Sequence, residues 1–150
     1  MSVIKPEPMY GTPAPLDADE TVLARFVPDA RTYWRSHAVM ALIGGVVAGL
    51  ALLFGGNPAP WVGPLAAVLA IGARAAYLKS EVFAEEWRLT QRRLLGPAGR
   101  IATLSGVKLA RPFLGAVQIV TQTGDKHLIK YQADPAATVA RILAAKGARP

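Results

Sequence analysis

The chain offers few residues whose types and spacing could carry out chemistry. Its two histidines, His37 and His127, each lack a second metal ligand at a suitable spacing. Glu85 and Glu86 are adjacent, so on a strand their carboxylates would point to opposite faces and could not act as an acid/base pair. The sequence contains no cysteine, which excludes thiol catalysis, disulfides and cysteine-ligated metals. We therefore expect no catalytic residue, no metal ligand and no cofactor, and we predict that the protein is not an enzyme.

Anion binding is a second kind of chemistry, and the basic set Arg88, Arg92, Arg93 and Arg100 could perform it. These arginines follow closely on an apolar segment. They could therefore attract anionic lipid headgroups, at about 1 kcal/mol per charge near a membrane surface, or bind a protein partner. The alternative is a solvated positive face without a specific ligand. Nucleic-acid binding is not expected, because it would require aromatic residues interleaved with the basic stretch.

Two uncharged segments come before these groups. Residues 38–54 and 58–73 contain no charged side chain, and 52% of the whole chain is hydrophobic, more than in an ordinary globular domain. With their flanks, both segments reach the roughly 20 residues that cross a hydrocarbon core of about 30 Å. We predict a transmembrane helical hairpin at 35–78, with helices at about 35–55 and 58–78. A cleaved signal peptide is disfavoured, because about forty mostly polar residues precede the first segment.

Small residues recur at helical spacing in the first segment. Gly45 and Gly49 form a GxxxG pair that Ala41 extends by one turn, and Gly63 with Ala67 offers a similar surface in the second segment. Small residues four positions apart allow the backbones of two membrane helices to approach closely. Two interpretations remain open. Either the two helices pack against each other, or the stripe docks onto another membrane protein or a second copy of the chain.

The charge distribution predicts the orientation of the hairpin. Residues 79–150 contain 12 Lys and Arg against 5 Asp and Glu, whereas the loop at 55–61 has no charge. Lys and Arg near the ends of membrane helices mark the cytoplasmic side. We expect a two-pass protein of a bacterial inner membrane, surrounded by membrane lipids, with both termini cytoplasmic. The residues expected at the headgroup interface are Arg31, Tyr33, Trp34, Arg35, Trp61, Arg74, Tyr77 and Lys79.

The residues before the hairpin are predicted to form two parts. Residues 1–19 combine four prolines with acidic and small residues, which favours a disordered cytoplasmic tail. Residues 20–34 should form a short lead-in segment and an interfacial turn. Within them, ETVLARFV at 20–27 favours a short strand, with a helical turn as the alternative. Pro28-Asp29 breaks this segment and can start the helix that contains Arg31, Tyr33, Trp34 and Arg35.

Residues 79–150 are predicted to form a cytoplasmic β-domain. Alternating and β-branched residues indicate about six strands over 81–132, beginning at EVFAEEWRLT. A turn at Gly124-Asp125 would place Val120 opposite Ile129.

One amphipathic helix is expected at about 135–146, where it would close one end of the sheet. Asp134 is its expected N-cap, and Pro135 suits the first helical position. The apolar stripe of this helix consists of Val139, Ile142 and Leu143.

The order of these elements resembles that of membrane-anchored bacterial pleckstrin-homology-like (PH-like) proteins. The segments that carry the resemblance are WRLTQRRLLGPAGRI (87–101), LSGVKLAR (104–111), FLGAVQIVTQTGDKHLIKY (113–131), DPAATVARIL (134–143) and the lead-in ETVLARFVPD (20–29). The resemblance implies a small, strongly bent β-sheet or partly open barrel with one C-terminal capping helix, and it implies no catalytic residues. The stretch between Val107 and Leu114 is compact, so one of the family's usual seven strands is expected to be missing or merged.

These observations favour a membrane α + β protein with a non-enzymatic function. We expect an accessory, assembly or scaffold subunit that docks on a larger membrane protein complex through its hairpin and its PH-like domain. The resemblance implies the same, because proteins similar to this family are associated with assembly of bacterial energy-transducing and photosynthetic complexes. The alternative is a module that binds anionic phospholipid without a stable protein partner. A membrane-bound enzyme would need His127 or Glu86 to be essential.

Overall fold

The computed structural model describes residues 14–147, which form two compact units. One unit is the helical hairpin, Ala30–Ser80, and the other is the β-domain, which combines residues 14–29 with 81–147. In chain order the elements are β1 (Val22–Phe26), α1 (Ala30–Phe54), α2 (Val62–Ala84), β2 (Trp87–Thr90), β3 (Arg93–Leu95), β4 (Ile101–Thr103), a 3₁₀ turn (Leu104–Gly106), β5 (Val107–Phe113), β6 (Ala116–Thr121), β7 (Lys126–Ile129) and α3 (Pro135–Gly147). The hairpin is therefore inserted between the first two strands of the β-domain.

Both helices of the hairpin are long and apolar enough to cross a membrane. They contain 25 and 23 residues, which corresponds to roughly 35 Å each at the rise of an α-helix. Helix α1 begins at Ala30, directly after Pro28-Asp29 as expected and a few residues before the predicted span of 35–55, whereas α2 begins only at Val62 and not at 58. Between the helices, Oδ1 of Asn57 accepts a hydrogen bond from the backbone N–H of Ala59 at 2.9 Å. This local turn occupies residues that the sequence assigned to the second helix.

The end of α2 also differs from the prediction, which placed a strand from residue 81. The helix continues to Ala84, and the strand conformation begins at Trp87, which pairs with Phe26 of β1. Extending an existing helix adds one hydrogen bond per residue, and no glycine or proline interrupts residues 81–84. Here the chain changes from helix to strand only at the point where β1 provides a partner strand.

Two antiparallel sheets make up the β-domain, in the orders β1-β2-β3-β4 and β5-β6-β7. The predicted lead-in strand is present as β1, and its pairing with β2 makes it part of the β-domain rather than a separate segment. Six strands follow the hairpin, as predicted. Together with β1, residues 14–147 contain seven strands, whereas one of the family's usual seven was expected to be missing or merged. In that described range, strand pairing joins neither β4 to β5 nor β1 to β7, so the sheets do not close into a barrel.

The core of the β-domain contains side chains from both sheets and from α3. Trp87, Leu94, Ile119 and Ile142 are among its buried members. The predicted start of α3 is confirmed, because Oδ1 of Asp134 accepts a hydrogen bond from the backbone N–H of Ala137 at 3.1 Å.

The predicted apolar stripe of α3 holds for two of its three residues. Ile142 is buried and Val139 packs against the core, but Leu143 is 47% exposed. Ala145 packs against the core instead.

The register of the β6–β7 hairpin differs from the prediction. Val120 lies opposite Lys126, and Ile129 lies opposite Val117. The loop contains four residues rather than two, because the N–H of Thr121 donates to the carbonyl of Asp125 at 2.9 Å and closes a wider turn.

One end of the β-domain is where the chain leaves for α1, and we call it the exit end. There, the N–H of Asp29 donates to the carbonyl of Tyr131 at 2.7 Å, and the N–H of Gln132 donates to the carbonyl of Gly115 at 2.8 Å. The turn between β5 and β6 is therefore held beside the segment from which α1 begins.

The opposite end of the β-domain is called the far end. There, the N–H of Leu104 donates to the carbonyl of Arg92 at 2.9 Å, and the N–H of Gln122 donates to the carbonyl of Gly106 at 2.7 Å. Strand β6 runs from the exit end to the far end, a distance of roughly 20 Å for six residues of strand.

The β5–β6 turn at the exit end has an unusual backbone. Leu114 has φ +49° and Gly115 has φ +81°, as in the two-residue hairpin turns that favour Asn-Gly. A non-glycine residue held in this left-handed backbone conformation carries a strain energy on the order of 1–3 kcal/mol. The Leu114 side chain is also 92% exposed, so no packing within the β-domain offsets this cost.

We expect Leu114→Asn to raise the free energy of unfolding of the β-domain by about 1 kcal/mol, because asparagine tolerates a positive φ. The measurement is hydrogen exchange of the β5 and β6 amides in the detergent-solubilised chain. Leu109→Asn is the control, since Leu109 is a half-exposed leucine of β5, the strand before the turn, and has no positive φ. Equal or lower protection in Leu114→Asn would contradict the assignment of strain.

Candidate functional site

The histidines and carboxylates considered as candidates for chemistry have identifiable surroundings in the structure. Within residues 14–147, no group of three or more His, Asp and Glu side chains could hold a metal ion. The ring of His127 lies edge-on to Trp87 at 5.8 Å between centroids. Burial, and then the charge of Arg100, lower the pKa of His127, so its ring is neutral at pH 7. Glu86 forms an ion pair with Arg25 at 2.6 Å.

The small-residue stripe lies inside the hairpin, between α1 and α2. A Cβ added at Gly63 would lie 2.7 Å from the carbonyl carbon of Ala48, and a Cβ at Gly49 would lie 3.3 Å from Cγ of Pro64. A Cβ at Gly45 would lie 3.4 Å from Cα of Pro64. Of the two interpretations left open by the sequence, the structure therefore uses these glycines for packing within the chain.

The two alanines of the predicted stripe are less tightly placed. A Cβ added at Gly44 would lie 3.9 Å from Cβ of Ala67, which is ordinary contact. Ala41 is partly buried on α1.

Tyr33, which was predicted at the headgroup interface, packs inside the hairpin. Its side chain is fully buried, and its hydroxyl donates a hydrogen bond to the carbonyl of Ala75 at 2.6 Å. A buried phenol needs such a partner, and α2 supplies one. Tyr33 therefore joins the open ends of the two helices.

The other residues predicted at the headgroup interface are exposed and divide between the two ends of the hairpin. Trp61 follows the loop, whereas Trp34 and Tyr77 lie near the Tyr33–Ala75 contact. Nζ of Lys79 lies 6.0 Å from the ring centroid of Trp34, at the limit of a cation–π contact. The exposed basic members at the same end are Arg31, Arg35, Arg74 and Lys79.

The predicted basic set does not form one surface. Arg92 and Arg93 lie at the far end, Arg92 in the turn between β2 and β3 and Arg93 as the first residue of β3. Arg88 lies opposite Leu95 of β3, and Arg100 follows β3 in the turn before β4, so both are nearer the other end of the sheet. Nε of Arg88 is buried without a hydrogen-bond partner among the described residues, and it lies 3.6 Å from Oε1 of Glu86.

Arg93 forms a partly buried ion pair with Glu20 that was not predicted from the sequence. Nε of Arg93 donates to both carboxylate oxygens of Glu20 at 2.9 Å, and Nη2 donates to Oε1. The hydroxyl of Thr90 donates to Oε2 of Glu20 at 2.8 Å, and the N–H of Asp17 donates to Oε1 at 2.9 Å. Nη2 of Arg93 also donates to the carbonyl of Pro15 at 3.2 Å.

Glu20 belongs to an acidic segment, Pro15–Thr21, that folds onto the far end. Nη2 of Arg92 donates to Oδ1 of Asp19 at 2.5 Å, and the N–H of Thr21 donates to Oε1 of Gln91 at 2.8 Å. These contacts correct the predicted tail of 1–19 for residues 14–19, whereas residues 1–13 lie outside the described part of the chain. The acidic run DADE at 17–20, just before β1, was the available sequence signal for these contacts, but the residues that it binds lie about 70 positions further along the chain.

An open cleft of about 230 Å³ lies at the edge of this network. It is lined by Asp17, Arg92, Arg93, Thr103 and Ser105. Both arginines already contact carboxylates of the acidic segment. The cleft is therefore electrostatically balanced rather than strongly basic.

The ion pair shifts the titration of both partners. Hydrogen bonds from Arg93 lower the pKa of Glu20 to about 2 although burial opposes the shift. The hydrogen bond to Glu20 raises the pKa of Arg93. The carboxylate and the guanidinium are therefore both charged at neutral pH.

No protein-family model, curated protein or solved structure matches the chain. The class that the geometry defines is a two-unit protein: a long apolar helical hairpin inserted in a seven-stranded β-domain with one C-terminal helix. The similarity to PH-like proteins stays a prediction from the order of elements.

We expect Gly63→Ala to destabilise the hairpin by about 1–3 kcal/mol, because its Cβ would overlap the backbone of Ala48. The measurement is thermal loss of helical circular dichroism in detergent. Gly72→Ala is the matched control on the same helix, since its Cβ would meet no atom of residues 14–147 within 4 Å. Equal melting of the two variants would show that Gly63 is not in close contact with α1.

We expect Glu20→Gln to lower the stability of the β-domain at pH 7 by roughly 3 kcal/mol, because it leaves Arg93 with a neutral partner. The folded pKa of Glu20 is depressed from 4.5 to about 2. The stabilisation is therefore complete above pH 4.5 and is lost as the pH falls from there towards 2. Urea unfolding across this range should show that loss in the wild type and not in Glu20→Gln.

Asp19→Asn is the control for this prediction. Asp19 also pairs with an arginine, but its side chain is 77% exposed, so its loss should cost less than about 1 kcal/mol. Similar destabilisation by both substitutions would contradict the central role given to Glu20.

Proposed function

We propose that the chain is a non-enzymatic accessory or scaffold subunit of a bacterial inner membrane, which docks on a larger membrane protein complex. The observation that carries this proposal is the insertion of the hairpin between two paired strands, β1 and β2. The β-domain is thereby joined to the hairpin by two short connections, Val27–Asp29 and Glu85–Glu86. Such a layout favours a binding surface held at a membrane over a freely moving domain.

The composition of the helices supports the membrane location. Their outward side chains include Leu42, Ile43 and Val47, each more than half exposed. Runs of exposed apolar side chains of this length are stable in lipid and not in water. The excess of Lys and Arg in residues 79–150 supports a two-pass orientation with both termini in the cytoplasm.

The architecture of the β-domain supports the expected PH-like class. It has antiparallel sheets of four and three strands and a C-terminal helix, α3, which contacts β5 and β6. The two sheets end in edge strands that a partner strand could extend. Domains of this kind serve binding without a catalytic constellation, but the function rests on the site and not on the fold.

The alternative, a module that binds anionic phospholipid through its arginines, has less support. Arg92 and Arg93 lie at the far end of the β-domain, away from the residues where the chain continues into α1. Both are also paired with acidic side chains of the same unit. The protein-docking function is therefore the one we favour.

The test is purification of the tagged full-length chain in native membrane discs, followed by quantitative mass spectrometry. We expect one integral membrane protein in a fixed ratio to the chain, absent from discs of an unrelated two-pass protein that carries the same tag. Recovery of the chain alone, enriched in anionic lipid, would contradict the proposal and favour the lipid module.

The variant Gly72→Leu maps the contact once a partner is found. This position is exposed and faces open space, so the larger side chain leaves the hairpin intact. Loss of the partner would place the contact on this face of α2. Retention would direct the search to the β-domain.

A further inference from the structure

The turn between β5 and β6 combines strain with exposed apolar surface. Leu114 has a positive φ and is 92% exposed, and Phe113 before it is 44% exposed. Tyr131 also has a positive φ, +53°. Asparagine or glycine would suit both backbone positions better. Leu114 is therefore an apolar side chain at a position that is both strained and exposed, which indicates a role outside the stability of the β-domain.

Gln132 brings these two strained positions together at the exit end. Its backbone N–H donates to the carbonyl of Gly115, and its side-chain Nε2 donates to the carbonyl of Val27 at 3.2 Å. Val27 lies three residues before the start of α1. The apolar turn is therefore fixed at the end of the β-domain from which the chain enters its first apolar helix.

The surroundings of the turn are those of an interfacial anchor. Arg111 and Phe113 are two positions apart on β5, so their side chains share one face of the strand. Lys130 precedes Tyr131, and its side chain is 43% exposed, with Nζ 3.8 Å from Oε1 of Glu85. Nε of Arg111 donates to Oε1 of Gln118 at 2.9 Å, and its remaining guanidinium N–H groups lie on an exposed residue. Apolar and aromatic side chains flanked by cations suit the boundary between anionic headgroups and acyl chains.

We propose that this apolar tip, Phe113–Gly115 with Tyr131, inserts into the headgroup region of the bilayer that the hairpin crosses. Arg111 and Lys130 contact anionic headgroups beside it. The inserted tip fixes the orientation of the β-domain relative to the membrane. The inference rests on the membrane location in the proposed function.

The size of the tip favours lipid over a protein partner. A stable protein interface buries about 800 Å² on each side. Aromatic side chains bury about 150–250 Å² each when fully covered, and Phe113 and Tyr131 are already partly covered within the β-domain. The tip therefore falls short of a protein interface but is sufficient for partial insertion.

Site-directed spin labelling tests the inference on the full-length chain, which has no native cysteine. Three variants are labelled singly: Leu114→Cys at the tip, Gln122→Cys at the far end of the same sheet, and Val47→Cys on the outward face of α1. They are placed in discs of phosphatidylcholine and phosphatidylglycerol. Collision with oxygen, which concentrates in lipid, is compared with collision with a water-soluble nickel chelate.

We expect the label at 47 to collide with oxygen, the label at 122 to collide with nickel, and the label at 114 to shift clearly towards the behaviour at 47. Nickel collision at 114 equal to that at 122, with 47 in lipid, would overturn the inserted tip alone. Nickel collision at 47 would overturn the membrane location and with it the proposed function. Protection at 114 from both reagents would show a protein cover and would also overturn the inference.

A second pair of variants removes any effect of the label's own affinity for lipid. The label is moved to Pro112→Cys, and the residue at 114 is either the native leucine or Leu114→Asn. Asparagine suits the turn, so the β-domain keeps its fold. We expect nickel collision at 112 to rise when Leu114 is replaced. No change would overturn the role of Leu114.

Discussion

The antiparallel pairing of β1 with β2 joins two strands that about sixty residues of intervening chain separate in sequence. Closing a flexible loop of that length would cost about 3–4 kcal/mol in chain entropy. The hairpin reduces this cost, because Gly63 packs against Ala48 and the Tyr33 hydroxyl bonds to the Ala75 carbonyl. Once these contacts form, the two ends of the insertion are already close together. The pairing of β1 with β2 then closes a much shorter effective loop.

The same pairing explains the position of the acidic segment. With Phe26 opposite Trp87 and Val22 opposite Thr90, the residues before β1 must arrive at the turn between β2 and β3. Glu20 then meets Arg93, and the hydroxyl of Thr90 satisfies the second carboxylate oxygen. A buried pair of this kind stabilises only when its remaining polar groups are also bonded, and here the neighbouring backbone and side chains meet that condition. The β-domain consequently includes residues from both sides of the hairpin.

Local signals in the sequence predicted the elements well, whereas long-range contacts were missed. The two apolar helices and the N-cap Asp134 follow from length, composition and spacing, because these properties act within a few residues. The pairing of β1 with β2 could not be predicted from these local properties, because it depends on where residues distant in sequence meet. Tyr33 shows the same limit, because the hydrogen bond of its hydroxyl to a carbonyl 42 residues away depends on how the two helices pack. The predicted register of Val120 was wrong, because the hydrogen bond between Thr121 and Asp125 closes a wider turn between β6 and β7 than the two-residue turn expected.

The basic set shows why charge in sequence is a weak guide to a site. Four arginines within thirteen residues suggested a single surface, but antiparallel strands carry neighbours in sequence to opposite ends of a sheet. Arg92 and Arg93 are carried to the far end, where acidic residues from before the hairpin neutralise them. No pattern in residues 79–150 could reveal those acids as partners.

Gln132 is the residue through which the exit end is held together. Its buried side chain donates to the carbonyl of Val27 and accepts from the hydroxyl of Thr138 on α3, while its backbone N–H binds Gly115. Breaking one of these bonds would leave a buried polar group without a partner, which costs about 1–3 kcal/mol. The β5–β6 turn, the start of the connection to α1 and the beginning of α3 are thus coupled. A contact made at the turn therefore affects the whole exit end of the β-domain and not the turn alone.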